Sequence, residues 1–269
     1  MHPLDGSFLK LNRAKYHFKV VDDLVKEIKE RKPYYIEHEV VRNRQTREFI
    51  LRFKQNEELD TNVSLLIGDI CNNLRSALDY LIWQLWLLNK HSFNGIVYFP
   101  ICDNESSYKT SRTRDNIKGL SDLQRAAIES IQPYKTGNSA LSLLRDVNNS
   151  DKHRLIQVIA FYGSIRNLRV TITQPDGLIV PFQHISPQIA KGTKIENGTE
   201  IARVPWGVYP KGSHVRVQSR TVLDYVFEGS KTANGKSIKP SIDAMVSEVY
   251  RVIILFEPEF SKFGVSKFK

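Results

Sequence analysis

The residues best equipped for chemistry are an arginine, a histidine, and the carboxylates and amides spaced around them. The run Gly68-Asp69-Ile70-Cys71-Asn72-Asn73-Leu74-Arg75-Ser76-Ala77-Leu78-Asp79-Tyr80 lies within an apolar periodicity of Val63, Ile67, Ile70, Leu74, Ala77, Leu78, Leu81 and Leu85. That spacing predicts a helix capped by Thr61 or Asn62 and running to about Leu88. At about 100° per residue, Asp69, Asn73, Ser76 and Tyr80 share one stripe, and Asn72, Arg75 and Asp79 share the next. Trp83 and Trp86 continue this side of the helix, so other parts of the chain are expected to cover it. Charged groups buried there without partners would be costly, so Asp69, Arg75 and Asp79 are expected to be paired or to border a cleft.

A second polar stripe is predicted around residue 150. The run Asn148-Asn149-Ser150-Asp151-Lys152-His153-Arg154 is followed by the apolar pair Leu155 and Ile156. If a helix continues from Ser139 to about Tyr162, then Asp146, Asn149 or Ser150, His153 and Gln157 share a face. Two such helices are expected to turn their polar stripes toward one another, bringing Arg75 and Asp79 near His153. Arginine holds a phosphate and histidine moves a proton near neutral pH, so together they suit a phosphate ester. The competing reading is a satisfied Arg–Asp–His–Asn network that fixes helix register and does no chemistry.

Other chemistries find less support. The remaining histidines, His2, His17, His38, His91, His184 and His214, have no metal-ligand spacing, and no Cys–His pair suits zinc. Neither common phosphate-binding glycine loop occurs. Trp206 and Tyr209, near Lys211, could stack on a base or peptide, or simply pack their own loop.

The elements that must position these residues follow from the rest of the pattern. Residues 12–31 read as an amphipathic helix ended by Pro33, and 35–41 with 48–53 as a hairpin. Residues 92–120 read as an irregular surface connection. Ser121 opens a further helix with Leu123 and Ile128 facing inward. From Ser164 the texture is β: Leu168, Val170 and Ile172 alternate, Pro175-Asp176-Gly177 turns, and 178–182 returns. Glu196-Asn197-Gly198 has the composition of a tight turn, and 214–227 is strand. Pro240 opens a final helix from Ser241 to about Leu255, with Ile242, Met245, Val249 and Ile253 on one face.

The expected fold is α+β. A helical bundle of residues 1–163 carries an inserted hairpin at about 34–54. An antiparallel β module with a C-terminal helix, residues 164–269, packs its helix back on the bundle. The net charge is +10, and residues 106–170 hold 11 basic against 5 acidic side chains, Arg112 among them, which favours phosphate-bearing partners or a well-solvated face. No stretch reaches the ~18 apolar residues of a membrane span. With no signal-peptide run in residues 1–12 and only Cys71 and Cys102 as thiols, a cytoplasmic protein is expected.

Several of these motifs together resemble a widespread family of bacterial and phage-borne proteins without an established activity. They are Gly68-Asp69, the run from Asn73 to Asp79, Phe99-Pro100-Ile101, Gln132-Pro133-Tyr134, and Asp151-Lys152-His153-Arg154. More distantly, the long helix resembles the HEPN superfamily of helical-bundle ribonucleases and defence or toxin proteins. Those proteins place an arginine and, four to six residues on, a histidine on one helix and work without metal or cofactor at a dimer interface. Arg75 matches the arginine, and Tyr80 stands where the histidine belongs. The resemblance implies an RNA-acting homodimer, a metal-independent ribonuclease in a toxin or defence role, with Arg75 catalytic and Tyr80 in the place of the histidine. The polar stripes add His153 as the expected acid/base, and Asp69, Asn72, Asn73, Asp79, Asn149, Asp151, Lys152 and Arg154 as expected binding or ordering residues. A non-catalytic nucleic-acid- or protein-binding module and a small-molecule or nucleotide sensor are the alternatives.

Overall fold

The computed structural model describes residues 2–31, 34–42, 47–56, 60–89, 97–151, 157–182, 195–206, 210, 212–228 and 232–269. The protein is mixed α+β, and its contacts divide it into two compact units. The first comprises residues 1–25, 60–158 and 227–269; the second comprises 26–59 and 159–226.

The first unit is helical. It holds α1 (Asp5–Glu30, whose final turn belongs to the second unit), α2 (Thr61–Leu88), α3 (Glu105–Tyr108), α4 (Ser111–Ile117), α5 (Asp122–Ser130), α6 (Pro133–Thr136), α7 (Ser139–Asp151) and α8 (Ile238–Phe256). A 3-10 helix, Glu257–Phe263, follows α8. α1 begins well before residue 12 because Leu4, Phe8 and Leu11 extend the buried spacing of Ala14 and Val21. Asp60 caps α2 in place of Thr61 or Asn62: its backbone is extended, and its carboxylate accepts the Asn62 N–H at 2.9 Å. The expected stripe of α2, from Val63 to Leu85, is buried, and α2, α7 and α8 pack against one another. On α8, Ile242, Met245, Val249 and Ile253 are buried as the spacing predicts. Each such side chain contributes about 1.5–3 kcal/mol of burial.

Three expectations change here. Within 92–120, the described residues from 97 on include α3 and α4, short helices started by the side chains of Asn104 and Thr110. Leu123 is 80% exposed, whereas Gln124 and Ile128 turn inward. The cause is a capping box, in which Ser121 and Gln124 bond to each other's backbone and fix the face that α5 buries. Finally, α7 runs unbroken through Asn148-Asn149 to Asp151, but Gln157 belongs to a strand. The β-branched and aromatic run Val158, Ile159, Phe161 and Tyr162 suits a pleated surface better than a helix.

The second unit is built from β1 (Tyr34–Arg42), β2 (Arg47–Gln55), β3 (Gln157–Thr173), β4 (Ile179–Phe182), β5 (Glu200–Trp206) and β6 (His214–Glu228), except that the first two residues of β3 and the last two of β6 belong to the first unit. Two three-stranded sheets form, ordered β1-β2-β5 and β4-β3-β6. β2 pairs antiparallel with both neighbours, Leu51 standing opposite His38 and Ala202. Phe49, Leu51 and Phe53 alternate into a core with Val170, Ile195, Ile201 and Ala202. The hairpin therefore groups with the later strands rather than with the helices, and residues 227–269 group with the helices.

Among the described residues, no helix is long and apolar enough to cross a membrane.

Candidate functional site

Residues 97–103, which include Phe99-Pro100-Ile101, form a strap that is neither helix nor strand, although Val97, Phe99, Ile101 and Cys102 are buried. Buried backbone without a ladder must find partners elsewhere. Here side chains of the helical unit supply them. Asn116 Oδ1 accepts the Tyr98 N–H at 2.9 Å, and Asp79 Oδ1 accepts the Phe99 N–H at 2.8 Å. Arg75 Nη2 donates to the Phe99 carbonyl at 2.5 Å. Gln132 donates to the Pro100 carbonyl at 3.0 Å and accepts the Cys102 N–H at 2.9 Å. Arg145 Nη1 donates to the Ile101 carbonyl at 3.4 Å. Proline at 100 has no N–H to satisfy.

Arg75 and Asp79 thus clasp both polar groups of one residue, Phe99. One helical turn apart, they also pair with each other, Nη2 to Oδ1 at 3.2 Å. The Arg75 side chain is only 16% exposed. Burial lowers its pKa from the usual guanidinium value, and Asp79 works in the opposite direction. Its Nη1 is buried and has no hydrogen-bond partner among the described residues. Arg145 is better provided for: it bonds to Asp103 at 2.5 Å and to Asp146 at 2.6 and 2.9 Å. Burial works against its charge, but those two carboxylates outweigh it and hold the proton more tightly than usual. Asp103 in turn accepts from Ser142, and Asp146 accepts from Thr232 at 2.8 Å.

A cavity of about 450 Å³ opens beside this network. Arg75, Asp79, Tyr98, Arg112, Asn148 and Asn149 line it, and Arg145 forms part of its wall. Three arginines and one aspartate line it, but Asp79 pairs with Arg75 and two further carboxylates hold Arg145, so Arg112 supplies the positive charge that no carboxylate offsets among the described residues. Asn148 is buried, whereas Asn149 and Arg112 are exposed at the mouth.

The structure therefore brings Arg75, Asp79 and Asn149 together and separates others from them. Asp69 and Asn72 are exposed. Asn73 donates to the Asp69 carbonyl at 2.7 Å and accepts from Lys10 at 3.4 Å. Tyr80, five residues beyond Arg75, lies about 140° around the helix from it. Its ring, 46% exposed, meets Gly6 and lines a second cavity of about 500 Å³ with His2, Pro3, Trp83 and Gln84. Asp151 lies against Gly68, where burial first and Asp69 second raise its pKa above the usual carboxylate range. Lys152, His153 and Arg154 lie outside the described residues, as do His91, His184, Tyr209 and Lys211. Gln157 stands in β3 and shares no helical face with Asp146.

The sequence reading missed Arg145 and Asp103, and it did not foresee that Gln132 holds the strap. Arg145 did carry a signal, being a cation set between Leu144 and Val147. Both cysteines are free thiols, Cys71 fully buried and Cys102 at the cavity wall. Among the described residues, no group of three or more His, Cys, Asp or Glu could hold a metal ion.

No family model, no curated protein and no solved structure matches this chain.

Proposed function

We propose that the chain acts on RNA in the manner of a HEPN-like protein, holding a phosphate of the strand in the cavity around Arg75. The observation that carries this reading is the buried Arg75 Nη1, which has a donor to offer and no partner among the described residues. Nη2 is engaged by Phe99 and Asp79, so the phosphate would take Nη1 alone, and a hydrogen bond from a guanidinium to an anion is among the stronger kinds. Arg112 at the mouth adds a second cation.

Binding is measured with purified full-length protein and labelled single-stranded RNA. Affinity should fall steeply as salt rises, and Arg112→Ala should weaken it while leaving the unfolding midpoint unchanged. Salt-independent binding, or a variant as tight as the parent, would sink the proposal. Cleavage adds His153 as the proton-transfer group, a residue outside the described region. In that case RNA products appear, and His153→Ala abolishes them. The clasp on Phe99 favours a second reading, a catalytically silent binding module, because it already engages Arg75 Nη2 and Asp79. Binding without products in the same assay selects it.

A further inference from the structure

Resting on the phosphate-binding part of that reading, and narrowing it from any phosphate of the strand to one at an RNA end or on a free nucleotide, we infer that the Arg75 cavity is built for a phosphomonoester attached to a single nucleotide, rather than for an internal phosphodiester.

Charge is the first argument. Arg145 is neutralised by Asp103 and Asp146, and Arg75 pairs with Asp79, which leaves Arg112 as the cation without a carboxylate partner among the described residues at the cavity, beside the unfilled Nη1 donor of Arg75. Arg112 is exposed, and its side chain makes no hydrogen bond among the described residues. Both donors gain more from the ligand that carries more negative charge. A phosphomonoester carries about −1.5 to −2 near neutral pH, and an internal phosphodiester about −1.

Shape is the second. Arg75 Nη1 is almost closed off from solvent. A diester offers two free oxygens between two riboses and needs an open groove along its length. A monoester offers three oxygens on one ester link and enters end-on. The cavity, about 450 Å³, falls within the range of about 300–1,000 Å³ typical of small-ligand sites and matches one nucleotide better than several.

The third is the wall. Tyr98, 43% exposed, offers an aromatic face in the same cavity as Arg75, and Asn148 and Asn149 offer amides. A base stacked on tyrosine with its edge toward amides is a common mode of nucleotide binding, tolerant of base identity. The free nucleotide and the phosphorylated end of an RNA share this chemistry.

The test is calorimetric titration of full-length protein with 5′-AMP, 3′-AMP, adenosine and the methyl ester of 5′-AMP, which is a diester. Short RNAs with and without a terminal phosphate are titrated beside them. At least one AMP isomer should bind about tenfold tighter than the methyl ester, and adenosine weaker still. Arg112→Ala should weaken that AMP isomer about fivefold at an unchanged unfolding midpoint. Binding of AMP alone assigns the free nucleotide and ends the RNA reading, and binding of phosphorylated RNA alone assigns the RNA end; both uphold the monoester. If the methyl ester binds as tightly as AMP while Arg112→Ala weakens both, the monoester preference is overturned and the phosphate cavity survives. If no nucleotide or RNA binds, or Arg112→Ala and Arg75→Lys leave every affinity unchanged, both ideas fall together.

Discussion

Asp151 occupies the space that Gly68 leaves on α2: a β-carbon added at Gly68 would stand 2.5 Å from Asp151 Oδ1 and 2.6 Å from Oδ2. Two sequence motifs more than eighty residues apart therefore meet at one point, where α7 ends against α2. The glycine serves a close approach, not a bend, since α2 continues through it unbroken.

In an open helix interior, alanine is about 1 kcal/mol better than glycine. At residue 68 the sign should reverse, and Gly68→Ala should cost about 1–3 kcal/mol, because the carboxylate is held on a short side chain and must move. Urea unfolding of the single variant and of Gly68→Ala/Asp151→Ala checks this. In the double variant the alanine should become stabilising. A stabilising Gly68→Ala with Asp151 in place would rule out the close packing.

The raised pKa of Asp151 makes a statement about pH. Its folded form binds a proton more tightly than its unfolded form does. Stability therefore falls as pH rises from the usual carboxylate range through the raised folded value, and the penalty is complete above it. Asp151→Asn removes the charge, so the variant should unfold at higher urea than the parent near pH 7 and match it near pH 3. An asparagine variant less stable at neutral pH would contradict this account.

Gln132 is fully buried, and its side chain makes three bonds, to Pro100, Cys102 and Ile128. Gln132→Ala leaves those backbone groups without partners and should cost about 3 kcal/mol. Slow hydrogen exchange at the Cys102 amide should be lost in the variant before any global unfolding. Unchanged protection there would mean that the strap is held in some other way.

The inward face of α5 can be checked with two substitutions. Leu123→Lys should change stability by less than about 0.5 kcal/mol, whereas Ile128→Ala should cost about 2–4 kcal/mol. A large cost at residue 123 would restore the original expectation.

Period was the legible part of this fold. Helical spacing located the cores of α2 and α8, and alternation located β1, β2 and the buried Val170 and Ile172 of β3. Elements without a period escaped. α3 and α4 are too short to show one and are defined instead by their caps, Asn104 and Thr110. The apolar run that opens β3 follows directly on a polar helical run, and a helix template fits both. At the site, the four-residue step from Arg75 to Asp79 gave their shared face correctly, whereas the strap they hold has no regular backbone to predict. That such a backbone needed partners at all was visible only once its burial was known.

The strap has a consequence for the order in which this chain assembles. Its backbone partners come from α2, α4, α7 and Gln132, so the segment has no local structure to settle into by itself. Its hydrogen bonds exist only once those helices have gathered, so its docking is expected to be a late step. The wall of the cavity is that same segment, so any state in which one of those helices has come away has no cavity to offer. Ligand occupancy would then report that the helical unit is complete, and a bound ligand would slow its opening.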